Sequence, residues 1–88
     1  MPQQNSRAAT ITGILLAVTG LSHFVAPQLY DEFTKPAFPE DTRTHVYIDG
    51  AIETAVGVGL AVPKTRKIAL AGLVGYLLYL GANVVRNR

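Results

Sequence analysis

Residues 68–85 read IALAGLVGYLLYLGANVV, and 14 of these 18 side chains are apolar, with Asn83 the only strongly polar one. A helix needs ~17 to 25 residues to cross the ~30 Å hydrocarbon layer of a bilayer, so this run is long enough. A helix packed on the core of a water-soluble protein keeps a polar stripe for solvent, and no such stripe is present here. Working outward, residues 46–62 are apolar at 11 of 17 positions and residues 8–26 at 12 of 19, and residues 8–30 carry no formal charge if His23 is neutral. The three blocks hold 37 of the 43 apolar residues, so the polar residues are left to the connectors. The pattern predicts an all-α chain: an integral membrane bundle of three transmembrane helices over about 8–26, 46–62 and 68–85, forming a single membrane domain over 1–88.

Composition narrows the chemistry. At 88 residues the chain has room for one domain, and with 16% charged residues and a net charge of +2 it offers no basic, aromatic-studded surface for nucleic acid. The absence of Cys removes disulfides, thiolate metal sites and cysteine nucleophiles. No phosphate-binding glycine loop occurs, and Ser22 beside His23 is no catalytic triad, because neighbours on a helix diverge by about 100 degrees. The segment SHFVAPQ has His23 and Phe24 where a cleavage site has small residues, and Pro27 follows its one candidate Ala, so the first block is expected to stay as an anchor. The turn PKTRK gathers three cations between the second and third blocks, which favours a cytoplasmic turn. The expected location is therefore multi-pass in the cell (plasma or inner) membrane, with the N-terminus cytoplasmic.

The loop over 27–45 opens with PQLYDEFT, where Leu29, Tyr30 and Phe33 fall about one helical turn apart behind Pro27. A short interfacial helix is predicted there, stopped by Pro36 and Pro39.

Ionisable side chains inside a span cost ~2.5 to 3.5 kcal/mol at its centre, so His23, Asp49 and Glu53 each require a reason. Antiparallel threading brings all three to the end nearest the first loop, and the returning third span brings Tyr79 and Asn83 to the same level. These five define a predicted polar intramembrane cluster. It would satisfy its own hydrogen bonds, receive a quinone or other lipid-soluble headgroup, or carry protons. Metal ligation is disfavoured, because His45, Asp49 and Glu53 lack the paired spacing of metal-binding bundles. No catalytic residue and no intrinsic cofactor are expected, only quinone or lipid contacts. Gly13, Ala17, Gly57, Gly59, Ala71 and Gly75 are small enough to let helices approach closely.

The segments GLSHFVAP (20–27), VYIDGAIETAVGVGLAVPKTRK (46–67) and ANVV (82–85) resemble the DoxX-like family of small integral membrane proteins. The resemblance rests on the His-Phe pair followed by Pro, on Gly50 with Glu53, and on the turn containing Pro63, Thr65 and Arg66. It implies His23, Gly50, Glu53 and Arg66 as pattern residues, without assigning catalysis to any of them. Members of that family usually have four helices, and some are associated with quinone-linked oxidoreductases or respiratory assemblies. Three blocks in place of four imply a helix face that another subunit or a second copy covers. The function expected on these grounds is that of a small noncatalytic accessory subunit of a larger membrane protein complex, set in a respiratory, quinone-linked electron transport chain. The alternatives are a DoxX-like quinone-binding or redox-helper protein and, third, a proton or small-solute transporter.

Overall fold

Prolines stand where the long helices stop. In the computed structural model, which describes the backbone of residues 2–88 and the side chains from residue 7 onward, α1 spans Pro2–Val25 and is followed by a 3₁₀ turn at Pro27–Leu29. A short α2 covers Asp31–Thr34, α3 runs Thr42–Ala61, a second 3₁₀ turn occupies Pro63–Thr65, and α4 runs Arg66–Arg86. Pro27 and Pro63 each open a 3₁₀ turn, where the missing N–H leaves no bond unmade. The described residues contain no strand, and residue 1 of the expected domain lies outside them. The predicted interfacial helix appears as the two short turns at 27–29 and 31–34, and Phe33 projects from it with 81% of its surface exposed.

Helix α3 is the middle element. Helix α1 lies along one side of it and α4 against the other, and α1 scarcely meets α4. The molecule measures 43 × 27 × 16 Å, so it is thin in one direction. Its buried apolar core is small, comprising Ala37, Phe38, Val46, Leu60, Ala69 and Tyr76 among the described residues. Val46 on α3 is fully buried, but Ile14, Leu15 and Val18 on α1 and Val74, Leu77 and Leu78 on α4 are more than half exposed.

The sequence predicts three apolar spans, whereas among the described residues two helices are long and apolar enough to cross a membrane: residues Arg7–Val25, mean hydropathy 1.7, and Pro63–Arg86, mean hydropathy 1.9. Only 17% and 11% of these windows is buried, unlike the core helix of a soluble protein. Helix α3, at 20 residues, has a comparable length of about 30 Å, but Asp49 and Glu53 lower its hydropathy. Asp49 and Glu53 turn inward, and Asp49 is only 4% exposed.

Backbone contact between α1 and α3 rests on four glycines spaced seven apart on each helix, Gly13 and Gly20 facing Gly57 and Gly50. A Cβ added at Gly13 would sit 2.5 Å from the Gly57 carbonyl oxygen, and one at Gly20 would sit 2.6 Å from that of Gly50. Seven residues are almost two full helical turns, so the pairs recur on the same face and the helices run nearly antiparallel in close contact. At the other end of the molecule, Arg66 ties three elements together. Its Nε donates to the Leu60 carbonyl at 2.7 Å, and its Nη2 donates to Thr10 Oγ1 at 3.2 Å and to the Ala61 carbonyl at 3.4 Å. Lysine cannot reproduce that fork. Arg66→Lys is therefore expected to lower stability by about 1.5 to 3 kcal/mol in detergent unfolding, the range for hydrogen bonds to a charged group.

The first loop is tied to α3 by Asp31, whose carboxylate accepts from Arg43 Nε at 3.1 Å and from Nη2 at 2.8 Å. This two-point hydrogen bond holds the Asp31 carboxyl below its ordinary range. A depressed pKa adds stability that is present above the unfolded value of ~3.9 and lost as pH falls through the folded value. Arg43→Gln should move the Asp31 titration, followed by carboxyl NMR, back toward ordinary aspartate. An unchanged titration would show the pair to be unformed.

Candidate functional site

His23 occupies the last turn of α1, where its Nδ1 lies 2.8 Å from the Thr19 carbonyl oxygen. A carbonyl only accepts, so Nδ1 carries a proton and donates, and Nε2 is left to face α3. There it lies 3.6 Å from Glu53 Oε2. The same oxygen accepts from the Tyr76 hydroxyl of α4 at 2.6 Å, so one carboxylate links all three long helices. Tyr30 from the first loop stacks on the His23 ring with centroids 3.7 Å apart and an interplanar angle of 13°. Its hydroxyl is hydrogen-bonded to that of Ser22, which fixes the loop over the histidine.

One turn toward the loop from Glu53 lies Asp49, buried, with an Oδ1 that has no hydrogen-bond partner. A buried carboxylate oxygen without a donor costs free energy, roughly 1 to 3 kcal/mol or more for a charged group, so its presence is unusual in a chain of this size. It lines a cavity of about 490 Å³ together with His23, Tyr30, Glu53 and Tyr76, and with Phe33, Ala37, Leu80 and Val84 on the apolar side.

The cavity thus gathers three of the five residues singled out in the sequence, His23, Asp49 and Glu53, and Tyr76 supplies the phenol. Tyr79 and Asn83 line a separate recess of about 630 Å³ with Phe38, His45 and Arg86. Asn83 Nδ2 donates within its own helix to the Tyr79 carbonyl at 2.8 Å. The reason is register. Gly59 packs against Ala69, and Gly72 faces Val56, so residues level with one another across α3 and α4 have numbers summing to about 128. Glu53 is then level with residue 75 and reaches Tyr76, while Tyr79 is level with Asp49 but on the Phe38 side. Estimating depth from the ends of apolar blocks is too coarse to separate positions three residues apart.

Of the six small residues, Gly13, Ala17 and Gly57 meet at the α1–α3 contact and Gly59 meets α4, whereas a Cβ at Gly75 would find nothing within 4 Å, and Ala71 is exposed. Gly20 and Gly50 complete the α1–α3 contact. Their seven-residue spacing from Gly13 and Gly57 was the available signal. Among the described residues, no group of three or more His, Cys, Asp or Glu is placed to hold a metal ion.

Fold and site together define a small all-helical protein in which, among the described residues, two helices are long and apolar enough to cross a membrane. An open, largely apolar cavity holds His23, Asp49 and Glu53 and is flanked by a loop tyrosine stacked on the histidine. The chain belongs to the family described as a domain of unknown function, DUF8561, which matches residues 12–86. No curated protein and no solved structure matches it. The family match takes in the whole site, from Thr19 to Val84.

Proposed function

We propose that this chain is a three-span integral membrane protein of the cell membrane that serves as a small, noncatalytic accessory subunit of a larger membrane complex. The observation that carries this is the thin, open shape, 16 Å in its shortest dimension, whose outer helices scarcely touch. Lipid alone would cover both faces of three helices, but α4 also presents Ala71, Gly75 and Gly81 on open surface, small residues of the kind that admit another helix. Partner subunits or further copies of this chain would pack there. The resemblance to DoxX-like proteins would place that complex beside a quinone-linked oxidoreductase of a respiratory chain. The chain, tagged and extracted in mild detergent, is expected to run with a stoichiometric partner or as an oligomer. Gly75→Cys should cross-link to that neighbour, and a chain that runs alone without cross-linking would refute the subunit role.

A ligand site is the second reading, favoured by Asp49, which lines the cavity and whose buried Oδ1 has no hydrogen-bond partner. A DoxX-like redox helper would take a quinone headgroup here. The Tyr76 proton is already donated to Glu53 and the His23 Nδ1 proton to Thr19, which leaves few donors for a quinone carbonyl and favours a headgroup that brings its own. A transporter is supported least, since α1, α3 and α4 are each continuous rather than broken.

A further inference from the structure

We infer that the cavity between α1, α3 and α4 binds an aliphatic primary ammonium, its nitrogen beside Asp49 and Glu53 and its chain along the apolar wall. The inference rests on the ligand-site reading and not on the subunit role. It starts from a count of donors and acceptors. Asp49 Oδ1 is buried without a partner, and of the Glu53 carboxylate only Oε2 is shown accepting a bond, from Tyr76. Against these two carboxylates the cavity offers donors that are mostly committed: His23 Nδ1 to Thr19, the Tyr76 hydroxyl to Glu53, the Thr19 hydroxyl to the Leu15 carbonyl and the Tyr30 hydroxyl to Ser22. His23 Nε2 stands 3.6 Å from Glu53 Oε2, beyond hydrogen-bond distance, and the Thr34 hydroxyl remains. No Lys or Arg is among the described residues lining it. The site has two carboxyl groups and an excess of acceptors, so its complement is a cation carrying several N–H groups.

Size selects among cations. At about 490 Å³ the cavity far exceeds a bare metal ion, and no three-residue ligand group accompanies it among the described residues. Leu80 and Val84 on α4 and Phe33 at the open rim form an apolar side on which an alkyl chain can lie. A primary ammonium has three N–H donors, enough for both carboxylates and one hydroxyl oxygen. A quaternary ammonium has the charge without the donors, and a carboxylate has the wrong sign.

The full chain in phosphatidylcholine nanodiscs would be titrated with tritiated dodecylamine, with dodecyltrimethylammonium, dodecanol and dodecanoate as competitors. Saturable binding is expected, competed weakly by the quaternary amine and not by dodecanol or dodecanoate. Asp49→Asn should weaken it tenfold or more, and Leu80→Trp, which fills the apolar wall and leaves the carboxylates in place, should abolish it. Helical circular dichroism would be followed for both, and either variant that folds is enough to decide. Equal competition by dodecanol, or unchanged affinity in the folded variants, would overturn the ammonium assignment alone. Absence of saturable binding by all four amphiphiles would overturn it together with the ligand-site reading, and would leave the cross-linking test of the subunit role standing. Adding phosphatidylethanolamine to the discs identifies the source: competition assigns the ammonium to a lipid headgroup, and no competition assigns it to a free alkylamine.

Discussion

Gly57→Ala and Gly20→Ala should each separate α1 from α3, whereas Gly75→Ala should leave the molecule as stable as before or more so. The added methyl at Gly57 would lie 2.6 Å from the Gly13 carbonyl oxygen and 2.8 Å from Ala17 Cα, and at Gly20 it would lie 2.5 Å from the Thr54 backbone nitrogen. These neighbours are backbone atoms, which cannot rotate away, so the helices must move apart along their whole length. Overpacking of this kind costs about 1 to 3 kcal/mol, occasionally more, and it exceeds the gain of up to ~1 kcal/mol from replacing glycine by alanine in a helix. At Gly75 the methyl meets nothing within 4 Å, so only the gain remains. Unfolding in mixed micelles with increasing sodium dodecyl sulfate would read the difference. Equal effects at positions 57 and 75 would mean that α1 and α3 are not in backbone contact.

The second large effect is expected at Glu53. Glu53→Leu removes the acceptor of the Tyr76 hydroxyl and the carboxylate facing His23 Nε2, leaving the Tyr76 hydroxyl without a partner on α3. A loss of about 1 to 3 kcal/mol follows from the cost of unpaired polar groups. Tyr76→Phe alone should cost less, because Glu53 keeps His23 nearby. A double-mutant cycle between Glu53→Leu and Tyr76→Phe should give a coupling of about 1.5 to 3 kcal/mol, the range for a hydrogen bond to a charged group. Additive losses would show that the two side chains do not meet. Glu53→Gln keeps an acceptor for Tyr76 and should fall between wild type and Glu53→Leu.

The helices are legible in the sequence because proline and hydropathy act locally. Pro27 and Pro63 mark the ends of α1 and α3, and the blocks 8–26, 46–62 and 68–85 each lie within one long helix or overrun it by a residue. The inward placement of His23, Asp49 and Glu53 is legible too, since charge inside an apolar run has few other places to go. Three things are not. The sequence points to Tyr79 where the structure uses Tyr76, because the α3–α4 register depends on Gly59 meeting Ala69, a contact between helices that neither helix specifies alone. Tyr30 reads as an interfacial aromatic, yet it stacks on His23, because the 3₁₀ turn at Pro27 folds the loop back over α1. Helix α3 reads as a third apolar span, although its polar face is stabilised only by its neighbours.

Whether α3 crosses the bilayer despite Asp49 and Glu53 is the point on which the proposed topology turns. The chain contains no Cys, so single cysteines can be placed without background at Glu40 in the first loop, Lys64 in the PKTRK turn and Arg88 at the C-terminal end. Membrane-impermeant maleimide applied to intact cells, then to inverted vesicles, reports the side on which each lies. Three spans require the cysteines at positions 40 and 88 to label from one side and the cysteine at position 64 from the other, with position 64 cytoplasmic. Labelling of positions 40 and 64 from the same side would mean that α3 does not cross, and the three-span arrangement with its intramembrane site would be wrong.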